Sequence, residues 1–207
     1  MFVPNSFKFD NRADQVAFMK QYSFATIISA HENFPLATQL PFFVEDTGDK
    51  LLLKSHFAAA NEQTKYIAGN TSLVIFSEPH AYISPLHYDK TESVPTWDYI
   101  AVHVYGKARI VEDEDAKSAM LEQMIRFYEE DYLKQWENLP DKFKKGMMKG
   151  IVAFELEVST VQGQKKLSQN KTSAERNRII QQLEKSEIAV EKDLARYIRE
   201  IDHSKEI

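Results

Sequence analysis

The chain has 207 residues, 43% of them hydrophobic, with 26 Lys and Arg against 31 Asp and Glu for a net charge of −5. That length and apolar content suit a domain with a sizeable core and exclude a disordered chain. Cysteine is absent, which excludes disulfides, thiolate catalysis and cysteine metal sites and fits a cytoplasmic setting.

The N-terminal MFVPNSFKFDNRADQ turns polar and acidic too soon for a signal peptide, and no apolar run approaches the roughly 20 residues that cross a bilayer. Residues 10–22 predict a short helix with Asp10 or Asn11 as N-cap. FATIIS (24–29) and LATQLPFFV (36–44) predict two strands, with Pro41 marking an edge or bulge. LLLKSHF (51–57) predicts a third strand, returning as a hairpin through the Gly48 turn. Residues 58–68 suit a short helix ended by Gly69-Asn70. SLVIFSE (72–78) is a near-continuous apolar run, the signature of a buried strand, and HAYISP follows it. A proline-bounded loop, 86–96, leads into a long alternating strand at 98–111, with Gly106 as a bulge. The acidic EDED (112–115) opens a helix whose Leu121, Met124, Ile125 and Tyr128 share a face. A second short helix spans about 140–149. Its Lys142, Lys144, Lys145 and Lys149 read as a solvated face. GIVAFELEVSTVQG (150–163) alternates again, and QKKLS suggests a final strand. From Thr172 a capped, amphipathic helical tail begins. We read this as residues 1–170 forming a β domain and 171–207 a helical extension. Short β-to-β connections favour antiparallel pairing in a barrel or sandwich over a doubly wound sheet.

The residues exclude several chemistries. No HxxxH, HxH or HExxH spacing marks a metal site. There is no GxSxG elbow, no GxxxxGK[ST] and no GxGxxG, and only six glycines in all. Two polar clusters remain, KSHFAAANEQ (54–63) and KKLSQNK (165–171). Lysines and hydroxyls bind phosphate oxygens, and amides offer paired edges to a heterocycle. Trp97, Tyr82, Tyr88 and Tyr99 supply flat faces. Turn chemistry and core packing explain many of the same residues.

PHAYISPLHY, VPTWDY, AVHVYG and KLSQN, in this order and spacing, resemble the PaiB-like family, described as FMN-binding negative transcriptional regulators. The resemblance runs from FVPNSF to about Leu183. It implies a mainly β fold with flanking helices, an antiparallel Greek-key split β-barrel, in a homodimer with flavin sites between subunits. It places Lys54, Ser55, His56, Asn61 and Gln63 near the phosphate and ribityl chain of FMN. Trp97, Lys166, Ser168 and Gln169 would face the ring or close the cleft. Ser55 and Gln39 depart from the family pattern, standing where glycine and histidine are common. No catalytic residue stands out.

The resemblance thus points to an FMN-binding regulator of protease or sporulation genes. Alternatives on the same fold are an FMN-dependent oxidoreductase and a haem-binding or haem-degrading protein with His56 or His103 as axial ligand. DNA contact finds little support in the charge, because nucleic-acid binders carry a basic surplus. No membrane partner is expected.

Overall fold

The computed structural model of the protein describes residues 1–203. Among these residues seven strands run in chain order as β1 (Phe24–His31), β2 (Phe34–Pro41), β3 (Phe43–Asp46), β4 (Leu51–Ala58), β5 (Thr71–Ile83), β6 (Thr96–Ile110) and β7 (Ile151–Lys166). They form one antiparallel sheet in the order β2-β1-β5-β6-β7-β4-β3. Among the described residues six α-helices accompany them: α1 (Arg12–Gln21), α2 (Glu114–Tyr128), α3 (Leu133–Asn138), α4 (Asp141–Lys149), α5 (Ser173–Glu184) and α6 (Ala189–His203). Among the described residues, no helix is long and apolar enough to cross a membrane.

The chain divides into two compact units. The first comprises Val16–Phe76 and His103–Val161. Its core holds Phe42, Phe57, Phe76 and Phe154, each fully buried. Phe57 stacks on Phe154 at 5.1 Å, and Phe42 meets Phe76 and Phe154 edge-on. Loss of one such ring to alanine costs about 3–5 kcal/mol.

Phe42 also explains a departure from the sequence expectation. The stretch 36–44 is two strands, β2 pairing with β1 and β3 with β4. Phe42 between them donates its N–H to Ser23 O, and its carbonyl accepts from Tyr128. A proline cannot donate to a ladder, so Pro41 ends an edge strand as its chemistry requires. The expected helix at 58–68 is only one 3-10 turn, Glu62–Lys65. In β6, Gly106 marks a close approach: a Cβ there would lie 2.3 Å from Glu157 O. The alternating burial of β5 replaces the expected continuous burial, with Val74 and Phe76 inside and Leu73 and Ile75 half-buried. LKQWEN, which the sequence reading left unassigned, forms α3.

The second unit comprises Met1–Gln15, Ser77–Val102 and the chain from Gln162 onward. HAYI of HAYISP is the end of β5, and QKK the end of β7, so neither is a separate strand. The helical tail is two helices. Thr172 and Glu175 close a capping box that opens α5. Ile179, Ile180 and Leu183 of α5 and Leu194, Ala195 and Ile198 of α6 are all buried. At the other end of the chain, Asn11 caps α1 by accepting from the Asp14 N–H at 3.1 Å.

Candidate functional site

In the first unit, β4 alternates its side chains. Leu51, Leu53, Ser55 and Phe57 point to the core, and Lys54 and His56 to the other side. Ser55 is fully buried, and its hydroxyl donates to Pro41 O at 2.7 Å. Lys54 is buried too. Its ammonium lies 2.9 Å from Glu45 and 3.7 Å from Glu155, and donates to the Gln123 amide of α2 at 3.1 Å. Glu155 also holds Arg109 at 2.6 Å. Two cations thus meet two carboxylates, with no positive surplus for a phosphate. Burial lowers the pKa of His56, so its ring is neutral at pH 7, and its Nδ1 is buried without a hydrogen-bond partner.

Asn61 and Gln63 form a different kind of cluster. Asn61 accepts from the Gln63 backbone N–H and donates to the Thr38 hydroxyl. Gln63 is 1% exposed. Its Oε1 accepts from Thr38 at 2.7 Å, and its Nε2 donates to Ile27 O and Ser29 Oγ. Every polar side-chain atom of Gln63 is therefore engaged, and it ties the 3-10 turn to β1 and β2.

In the second unit, the strand β7 ends at Lys166 and the chain turns through Leu167-Ser168-Gln169. Ser168 sits in the left-handed region at φ 57, uncommon for a residue with a Cβ. Gln169 braces this turn, accepting from the Leu167 N–H and donating to Lys165 O. The Ser168 hydroxyl donates to Asp98 Oδ2 at 2.5 Å. Lys166 donates to the Thr96 hydroxyl. Asp98 is fully buried, and its Oδ1 finds no partner among the described residues. Burial pushes its carboxyl up to about 6, against the pull of the Ser168 hydroxyl, Lys166 and Lys171. Close by, the Lys171 ammonium lies over the Tyr88 ring, 3.5 Å from its centre. Trp97 points elsewhere. It is 54% exposed, with His80 and Tyr82 each 6.0 Å from its ring.

The nine residues singled out in the sequence thus fall into two sets. Lys54, Ser55, His56, Asn61 and Gln63 belong to the first unit, and Trp97, Lys166, Ser168 and Gln169 to the second. Sequence reading missed Asp98, although a signal was present: Asp98 falls in step with Ile100, Val102 and Val104 on the core face of β6. It also missed Glu45, Gln123 and Glu155 around Lys54, which only the folded sheet brings together. Among the described residues, no group of three or more His, Asp or Glu side chains is placed to hold a metal ion.

Comparison with known proteins gives a consistent picture. Residues 1–160 match the family described as "Putative FMN-binding domain". The Bacillus subtilis (strain 168) protein named "Protease synthase and sporulation protein PAI 2" is 36% identical over 198 residues, 94% of this chain and 95% of its own length. Among solved structures, the flavocytochrome Anf3 of Azotobacter vinelandii has a TM-score of 0.61 at 13% identity, covering 77% of this chain and 69% of that one. The FAD and haem binding protein of Mycobacterium smegmatis has a TM-score of 0.60 at 14% identity, covering 77% of this chain and 73% of its own. At such identities these two structures show the fold alone, the split β-barrel that the resemblance implied. The family match and the long alignment carry the rest: the chain belongs to the PaiB-like family of FMN-binding split-barrel proteins.

Proposed function

We propose that this protein is an FMN-dependent regulator acting as a homodimer in the cytoplasm, of the kind the Bacillus subtilis relative's name suggests. The observation that carries this reading is the 36% identity along 94% of the chain with a protein named for protease synthesis and sporulation. FMN needs a place for its phosphate and one for its ring. The ammonium groups of Lys166 and Lys171 and the hydroxyls of Thr96 and Ser168, gathered at the strained Ser168 turn, have the chemistry a phosphate requires. Lys54 is a poorer candidate for that task, since Glu45 and Glu155 already neutralise it. Ser55, Asn61 and Gln63 have their side chains bonded within the first unit, where they serve the fold. When bound, FMN supplies a redox centre, and the protein supplies orientation and electrostatics.

The homodimer reading rests on the exposed rings of Trp97 and Tyr82, together with Leu86 at 89% and Val94 at 77% exposure. Tryptophan and tyrosine are enriched at subunit interfaces. The acidic net charge favours regulation through a partner protein over direct DNA contact.

A visible spectrum of the purified protein, before and after FMN is added and the excess removed, tests the reading. We expect a retained flavin band that Lys166→Ala weakens about tenfold in affinity, as loss of a charge-assisted phosphate contact would. No band in either sample would overturn the cofactor assignment. Light scattering should give the mass of two chains, and one chain for Trp97→Ala; a wild-type monomer would overturn the dimer.

A further inference from the structure

In the first unit, a cavity of about 570 Å³ lies among α2, α3, α4 and the side of β4 that carries His56. Its size is that of a small-molecule pocket. Leu121, Met124 and Ile125 of α2 form one wall, and Met147 and Met148 of α4 another. Unbranched methionine side chains adapt to irregular ligands. The mouth is apolar: Phe143 and Met147 are each more than half exposed, and Tyr128 nearly so.

The polar features of this cavity are few and specific. Among the described residues, no lysine or arginine lines it and Glu129 is the only carboxylate that does; His56 is neutral. An anion placed there would lose its hydration without a counter-charge, so the phosphate of a flavin nucleotide has no place in it. Two wall residues carry buried polar atoms that find no partner among the described residues, Trp136 Nε1 and His56 Nδ1. The indole N–H is a donor only, and a buried donor without a partner costs about 1–3 kcal/mol. A ligand with an acceptor for it would remove that cost.

We infer that this cavity is a binding site for a neutral, largely apolar small molecule that carries a hydrogen-bond acceptor. Its lining shares no residue with those proposed for the flavin phosphate, and the inference does not rest on that proposal. It also has a route to the rest of the unit. The helix α2 that walls the cavity carries Gln123, which accepts from Lys54. An occupant that shifts α2 therefore alters the ion-pair group of Lys54, Glu45 and Glu155, giving the ligand the standing of an effector.

Nile red, a neutral planar dye with a carbonyl acceptor, provides the test on the full-length protein. We expect saturable, blue-shifted fluorescence at one dye per chain. Met147→Glu places a charge at the exposed mouth without disturbing the core, and should weaken dye binding about tenfold or more, since a charge beside an apolar ligand is costly to desolvate. Trp136→Phe keeps the ring and removes the donor. It should weaken the dye severalfold while leaving a hydrocarbon such as pyrene unaffected. Three results would overturn the inference: no saturable binding, binding that Met147→Glu leaves unchanged, or displacement of the dye by FMN. A fall in oligomer mass on Met147→Glu would also overturn it, showing that a second chain covers this face.

Discussion

Around Gln63, every side-chain polar atom has a protein partner; around Asp98, one carboxylate oxygen has none. Both residues are buried, both sit in segments that sequence reading linked to the cofactor, and both contact a serine hydroxyl. Their chemistry differs in a decisive way. A neutral amide with all its bonds made is a fastener, and burial adds to its strength. A buried carboxylate with an open oxygen, at a left-handed serine and beside two lysines, is held at a cost in stability, which is the mark of a functional position. Burial alone therefore does not separate structural from functional polar residues. Completeness of bonding does.

The largest test of that contrast is Gln63→Ala. It removes bonds to Thr38, Ile27 and Ser29, and should lower unfolding stability by about 3–5 kcal/mol as those groups lose their partner. Urea denaturation measures it; a loss under about 1 kcal/mol would mean the network is dispensable.

Asp98→Asn comes next and has the opposite sense. The folded-state pKa of Asp98 is raised from 3.8 to about 6, so between these values the folded protein holds a proton that the unfolded chain has released. Stability is thus highest below the unfolded value and falls as pH rises toward the folded one, by on the order of 3 kcal/mol. The asparagine variant lacks this slope. The stability difference between variant and wild type should shift in the variant's favour between pH 4 and pH 7, and a pH-independent difference would remove the carboxylate from the account.

Lys54→Met should have a smaller effect, about 1–3 kcal/mol, because it leaves Glu45 and Glu155 facing each other with only Arg109 between the pair and charge balance. The smallest expected effect is Thr172→Ala, about 1 kcal/mol, from the lost half of the capping box. A larger loss there would show that the cap also supports the Ser168 turn, through Lys171, whose N–H donates to Ser168 O and whose carbonyl accepts from Arg176.

Much of the fold was legible because local chemistry and period agree. The hairpin of β3 and β4 follows from Gly48, which has φ 86, and the tail helix from Thr172 and Glu175. Legibility failed where neighbours in the chain look alike. Both sides of Phe42 are apolar and suited to strands, so nothing local says that the chain changes partner there. SLVIFSE reads as a strand that stops before Pro79, yet β5 continues through this residue, with a cis peptide bond between Glu78 and Pro79. The candidate site was harder for the same reason. The motif residues Lys166, Ser168 and Gln169 carry recognisable chemistry, but Ser168 takes its meaning from Asp98, 70 residues away. Lys54 likewise takes its meaning from Gln123, 69 residues away.

One feature of the sheet bears on how the chain reaches this structure. The edge strands β2 and β3 lie at opposite ends of the strand order, yet a single residue, Phe42, separates them in the chain. Each belongs to a tight hairpin, β1–β2 and β3–β4, whose contacts are local and form on a microsecond scale, about 1–10 μs. The partner of β4 on its other side is β7, and pairing Leu52 with Glu157 closes a loop of about 100 residues. The hairpins can therefore assemble early as a linked pair, while β4 waits with an open ladder until most of the chain has been made. On a ribosome, that waiting strand is the segment most exposed to pairing with another nascent copy.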